Sequence, residues 1–373
     1  MRHRFSFAVV ALVACLGASF AGSATAAAQD DAKKKVKAKK SDSLGTSIPK
    51  ADTTPPPLFT SEVPLTVTFT TNIKQLRGDR GAKAPYHSAT MSYLATDGKT
   101  VTVPMRVKTH GIWRLKHCDF PPLRLNISNK ETKGTLFRDL QKPKFVNVCN
   151  DRNNYEQLTL QEMQLYRIYQ LLTPASHRVR TLRVAYADSA SGKVEATRYA
   201  FLFEDPDELA DRLGGRMTKI KGAGADDLDP ALAAIVYLFQ FMIGNTDFSF
   251  NGLHNGEIVS RPDGSAALPI AYDFDFSGAV NAPYATVDPR LSVKRVRDRI
   301  YRGFCAFKPE LPGAIALFKQ KKDAIYALYH DDVGKLLEPG IVRETLEYYD
   351  DFYDTIKTEG DAERMFRNCV GSR

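Results

Sequence analysis

Apolar and polar residues alternate along much of the first half of the chain. In the second half they recur mainly at helical spacing. From about Leu58 the alternation predicts strands. Pro64–Ile73 reads PLTVTFTTNI, and 88–111 reads as strand, Asp97-Gly98 turn, strand. Shorter strands are expected in 121–128 and near the end of 135–149, followed by a helix over Asn153–Leu172. Leu158, Met163, Leu165, Ile168, Tyr169 and Leu172 give that helix an apolar side, and Pro174 stops it. A hairpin over 180–205 leads into a short helix with Pro206 in its first turn.

Residues 229–244 are almost uninterrupted apolar chain. They predict a deeply buried helix with Asp229 as N-cap and Pro230 at the first helical position. Strands follow around His254–Val259 and Ala267–Tyr272, then helices over 309–331 and 339–356 and a last one reaching Met365-Phe366. This order predicts an α+β fold with a sheet-rich region at 58–205 and a helical region carrying an acidic hairpin at 206–373. No internal repeat is visible.

The first residues have a different pattern. Arg2 and Arg4 precede an apolar run that ends in SATAAAQD, the layout of a secretory signal peptide over 1–28 with cleavage after Ala26 or Ala28. Leu12-Val13-Ala14-Cys15 offers a second reading, a lipoprotein box with lipid on Cys15. Both imply export to the periplasm or cell surface. Residues 29–57 are rich in Lys, Ser, Thr and Pro and read as a disordered linker. Its run Lys33–Lys40 is a solubilising tether or a contact for anionic polymer or lipid. Membrane association is therefore expected through either Cys15 or that run.

The formal net charge is +9, part of which lies in these leading segments. No second basic block with interleaved aromatics was found, so no nucleic-acid partner is expected. Without Cys15 four cysteines remain: Cys118, Cys149, Cys305 and Cys369. Export favours disulfides, and of the three pairings Cys118–Cys149 and Cys305–Cys369 are expected because each closes a local region. None has the close spacing of a structural zinc site.

Candidate chemistry concentrates between Gly244 and Gly278. Asp247 follows the buried helix and a glycine, and Asn245, Asn251, His254 and Asn255 lie close by. Asp273 and Asp275 stand two apart at the end of an apolar strand. In extended geometry both face one side, where a hard cation such as Mg²⁺ or Mn²⁺ relieves their repulsion. Either residue type also caps turns, which is the plain structural alternative. Upstream, Lys144 alternates with core residues and Glu204 ends a strand. A Lys–Glu pair beside a metal-binding Asp suits phosphoryl transfer. Arg114, with Lys116 and His117, belongs to a basic set from which a phosphate contact is expected.

From about Val103 to Gly278 the chain resembles the CotH family, bacterial spore-coat kinases of atypical protein-kinase-like fold. The resemblance lies in Arg106–Gly111, Pro122–Asn126, Lys144–Asn147, Phe201–Glu204, Asn245-Thr246-Asp247 and Tyr272-Asp273-Phe274-Asp275-Phe276. It implies a protein-kinase-like fold with an antiparallel-sheet N-terminal lobe and a mainly helical C-terminal lobe. It also implies ATP as cofactor and a protein or envelope polymer as substrate. Asp247 would be catalytic, Asp273 and Asn255 metal-side residues with Asp275 in support, and Lys144 and Glu204 the nucleotide clamp. The sequence departs from the family at Phe248, which follows Asp247 where a basic residue or His is usual, and Asn251 and Asn255 compete for one role. The expected function is an exported, metal-dependent kinase-like phosphotransferase. The alternatives are a non-catalytic metal- or nucleotide-binding envelope protein, a metal-dependent phosphoester or cell-wall hydrolase, and a purely structural module.

Overall fold

The computed structural model describes residues 54–371 except 82 and 368. The signal peptide, Cys15, the run Lys33–Lys40 and nearly all of the linker lie outside the described residues. Alternating burial in β1 (Leu65–Thr71) sends Val67, Phe69 and Thr71 to one face. After α1 (Ile73–Gly78) come β2 (His87–Leu94) and β3 (Thr100–Thr109), joined through the Asp97-Gly98 turn, where Gly98 has a φ of 81°. Then follow α2 (Trp113–His117), β4 (Leu123–Asn126), α3 (Asn129–Thr132), β5 (Lys144–Val146) and α4 (Asn153–Leu172). The next hairpin is β6 (Val179–Asp188) with β7 (Val194–Phe203).

These seven strands form a closed barrel in the order β1-β2-β3-β4-β5-β7-β6. The closing contact is parallel: β1 pairs with β6 from Leu65↔Leu182 to Thr71↔Asp188. This corrects the protein-kinase-like expectation, whose N-terminal lobe carries an open twisted sheet. The α+β class stands, but the barrel replaces the open sheet. Alternation specifies which face of each strand is buried. It says nothing about which distant strand will cover a free edge, and pairing β1 with β6 removes both edges at once. The barrel interior is packed with aromatics, Phe69 meeting Phe145 edge-on at 5.5 Å and Tyr186 stacking on Phe145 at 6.3 Å.

Beyond the barrel lie α5 (Pro206–Arg212), the short β8 (Arg216–Met217) and α6 (Pro230–Met242). The Asp229 carboxylate caps α6 by accepting from the Leu232 N–H at 3.0 Å. β9 (Gly256–Ser260) and β10 (Leu268–Ala271) form the acidic hairpin and join β8 in a three-stranded sheet. The remainder is α7 (Leu311–Ala327), α8 (Pro339–Thr355) and α9 (Glu359–Phe366). A second apolar core gathers α4, α6, α7 and α8 around Tyr166, Tyr169, Phe239, Phe274 and Phe352.

Both expected disulfides are present, Cys118–Cys149 and Cys305–Cys369. The first ties the end of α2 to the chain just beyond β5. The second ties the C-terminal segment to the start of the α7 region, beside the parallel bridge of Phe304 with Val370.

A membrane-spanning form of the expected association is also corrected, Cys15 and the run Lys33–Lys40 lying outside the described residues. Among the described residues no helix is long and apolar enough to cross a membrane. The strongly apolar α6 has 13 residues, against the roughly 20 that a span requires. α4 has 20 residues but carries Glu156, Glu162 and Arg167.

Candidate active site

Two glycines bring the acidic residues together. Gly244 ends the α6 region with a φ of 64°. Its carbonyl accepts from the Gly278 N–H at 3.1 Å, and the Ile243 carbonyl accepts from the Ala279 N–H at 2.9 Å. The turn after α6, which carries Asp247, is thereby fastened to the segment that follows Asp275. Both glycines sit against the Tyr348 hydroxyl of α8, closer than any Cβ would permit. Arg302 secures the turn from the other side, donating to the carbonyls of Thr246 (2.5 Å) and Phe248 (3.0 Å).

Within this turn the Asp247 N–H donates to Asn245 Oδ1 at 3.0 Å. One Asp247 carboxylate oxygen meets His254 Nε2 at 2.8 Å, and the other accepts from Asn255 Nδ2 at 3.0 Å. Asn255 Nδ2 also donates to the Asp247 carbonyl at 2.8 Å. Asn255 is therefore the asparagine beside Asp247. Asn251 is exposed and donates to the Ala223 carbonyl instead. The Asp247 side chain keeps about a third of its surface open to solvent, at 35%.

Asp273 and Asp275 are positioned by α4. Tyr169 Oη accepts from the Ala271 N–H at 3.3 Å, and Tyr166 Oη accepts from the Asp273 N–H at 2.9 Å. The Glu162 carboxylate accepts from the Phe274 N–H. Residues 162, 166 and 169 share one face of the helix, so the helix holds three backbone positions of the acidic segment, 271, 273 and 274. The strand ends at Ala271, and Asp273 adopts a left-handed φ of 62°. The extended geometry expected for the two aspartates is thus replaced by a turn, yet their carboxylates remain in hydrogen-bond contact. Phe274 is fully buried in the core. Phe276 packs against Trp113 and Tyr284 at ring distances of 5.8 and 5.6 Å.

Arg114 is drawn into this acidic group. It lies 3.9 Å from Glu162 and donates to the Asn147 carbonyl. Burial acts to lower its pKa, but Tyr284, Asp275, Glu162 and Asp273 outweigh it and the net direction is upward. Lys116 and His117 of the same basic set are exposed. Asp275 accepts from the Tyr284 hydroxyl at 3.1 Å. Burial, then the Asp273 charge, push Asp275 up to about 7. Burial also raises Asp273, against the lowering effect of Arg114 and Lys144, while Asp247 adds to the rise. Glu162 is pushed well above the usual carboxylate range by burial and then by Asp275.

Lys144 does not pair with Glu204. Its Nζ lies 3.5 Å from Glu257 and over the rings of Tyr272 (4.4 Å) and Phe203 (4.8 Å). The barrel register explains this. Lys144 stands opposite Phe203, so Glu204, one residue on, falls on the other face. Glu204 is bound there by Arg212 at 2.7 and 3.0 Å and by the Arg178 N–H at 3.1 Å. Glu257 is instead shared with the buried His177 at 2.8 Å. Burial alone would raise Glu257, but Lys144 and His177 hold it at about 2. Lys144, Arg124 and Lys108 also surround His110, which burial and these charges lower to about 4.

The groups that sequence reasoning missed are Glu162, His177, Glu257 and Arg302. Glu162 and Glu257 had a signal, a carboxylate within an otherwise buried helix or strand. His177 and Arg302 lie between elements and carry none.

The donor chemistry of Asp273 and Asp275 fits a hard cation such as Mg²⁺ or Mn²⁺. These are paired carboxylates, Asp275 buried and Asp273 half-buried, whose mutual repulsion a cation relieves. Among the described residues no group of three or more His, Cys, Asp or Glu has metal-binding geometry. An ion held here would complete its shell with water or phosphate oxygens, as Mg²⁺ commonly does. No protein-family model matches the chain, and no curated protein is significantly similar to it.

Proposed function

We propose that the chain is an exported, metal-dependent phosphotransferase that moves phosphate from a nucleotide to a hydroxyl of a protein or envelope polymer. The observation that carries this reading is that the Asp247 turn is fastened to the segment after Asp275 by the Gly244–Gly278 and Ile243–Ala279 hydrogen bonds, with Lys144 over the Tyr272 ring and Arg114 beside Glu162. One site therefore combines a base, a candidate metal pair and a buried cation. Fold alone does not decide the chemistry, so the reading rests on the site rather than on a kinase-like sheet. The order of short motifs shared with the CotH family supports the same chemistry, and two disulfides support export.

Asp247 acts as general base. Its carboxylate is oriented by His254 and Asn255 yet open enough to take a proton from an acceptor hydroxyl. Lys144, fixed by Glu257, presents a positive charge toward the acidic pair. Lys108 and Arg124 extend that positive region. Asp273 and Asp275 are the residues that would hold Mg²⁺ or Mn²⁺, which when bound supplies charge neutralisation for phosphate oxygens.

The test is nucleotide binding with and without Mg²⁺ or Mn²⁺, followed by transfer of labelled phosphate. Wild type is expected to bind ATP only with the metal, and Asp273→Asn to lose that dependence. Asp247→Asn is expected to bind normally but transfer about 10²–10⁴-fold more slowly. Absence of metal-dependent nucleotide binding by the wild type overturns the reading. Binding without transfer identifies the non-catalytic alternative.

A further inference from the structure

Between the acidic segment and the 3-10 helix Cys305–Glu310 that precedes α7 runs a stretch without helix or strand that carries Arg290, Lys294, Arg295, Arg297, Arg299 and Arg302. Some of these charges are already committed. Arg290 pairs with Asp288, Arg295 with Asp298, and Arg302 holds the Asp247 turn. Arg297 and Arg299 are bound differently. Both guanidinium groups lie over the Tyr348 ring, 4.5 and 3.5 Å from its centroid. Their hydrogen bonds go to main-chain carbonyls. Arg297 donates to Glu344 at 3.4 Å, and Arg299 donates to Met242 at 3.1 Å and to Tyr348. A guanidinium has five N–H donors, so each retains several beyond these. Burial lowers the Arg299 pKa, as expected for a cation whose charge carbonyls and a ring offset only in part.

Both arginines line a cavity of about 740 Å³, together with Asn281, Pro283, Arg295 and Tyr348. Its lining includes one carboxylate, Asp351, and with Arg295 paired to Asp298 the cations left for a ligand are Arg297 and Arg299. Arg297 and Asn281 also line an adjoining cavity of about 360 Å³. Planar guanidinium forks held by an aromatic ring match the oxygens of a phosphate better than a single carboxylate does.

We propose that this cavity binds a phosphomonoester, with Arg297 and Arg299 as its principal cations and the Asn281 amide and Arg295 at its rim. The site stands on its own residues and does not rest on the phosphotransfer reading.

Titration calorimetry with O-phosphoserine in EDTA at physiological salt tests it, since EDTA removes any metal-held phosphate at Asp273. Saturable binding is expected, unchanged in Asp273→Asn and weakened about tenfold or more in Arg297→Gln. Arg297→Lys, which keeps the charge and the packing stem, is expected to fall between and covers the case in which the glutamine variant does not fold. Serine is expected not to bind. A short acetylated peptide bearing phosphoserine separates two sources of the same chemistry: equal affinity identifies a free phosphate ester, tighter binding a chain-borne one. No saturable binding by the wild type, or equal affinity in both Arg297 variants and the wild type, overturns the proposal.

Discussion

Glu257 is the side chain on which the cationic part of the site depends. It meets Lys144 at 3.5 Å and His177 at 2.8 Å, with its own side chain 13% exposed. Removing its charge leaves a buried ammonium without its contacting counter-ion, which costs far more than a surface pair does. Glu257→Gln is expected to destabilise the fold by about 3 kcal/mol at neutral pH, measured by urea unfolding. The pH dependence follows from the direction of the shift. The folded value, about 2, lies below the ordinary 4.5, so the contribution is present above about 4.5 and is lost as pH falls toward about 2. The gap between wild type and Glu257→Gln should therefore narrow across that window. A gap that stays constant with pH would assign the loss to packing. Glu257 was within reach of the sequence as a charged residue in an apolar strand, but its partner was not. The resemblance implies Glu204 as the partner of Lys144 in a nucleotide clamp, but one step of strand alternation turns that carboxylate away.

The turn between α6 and β9 and the segment after β10 form a single unit because Gly244 and Gly278 both press against Tyr348. A Cβ on Gly244 would stand 2.0 Å from the Tyr348 hydroxyl, and the backbone there has a φ of 64°. Gly244→Ala is expected to cost roughly 2–4 kcal/mol through the contact and the left-handed strain together. Tyr348→Phe removes the clashing oxygen but not the strain, so it should recover part of the loss. A thermal-unfolding double-mutant cycle checks this, and simple additivity would show that the hydroxyl contact does not matter. The helices themselves were legible in the sequence. α4 spans the residues its periodicity marked, and the Asp229-Pro230 start of α6 is a cap with a direct mechanism. β8 was not legible, since two residues carry no period and exist as a strand only because β9 offers an edge.

There are two apolar cores, one inside the barrel and one among the helices, and two disulfides, one in each half of the described chain. Cys305–Cys369 closes a separation of 64 residues and holds the segment after α9 to the helical core. Replacing both cysteines with serine is expected to cost about 4 kcal/mol by the loop-closure estimate, read as a shift in the urea midpoint. The same measurement in reductant should reproduce that shift, with a further loss from Cys118–Cys149. The sequence by itself marked the longer strands and helices, the burial of α6, the favoured disulfide pairing and the neighbourhood of Asp247, Asp273 and Asp275. Each of these follows from local periodicity, turn chemistry or short spacing. The parallel closure of β1 on β6, the pairing of Lys144 with Glu257 and the gathering of Arg297 and Arg299 at Tyr348 were decided only by the tertiary structure. Each joins residues far apart in the chain, and neither periodicity nor charge pattern specifies which distant surface a strand edge or side chain will meet.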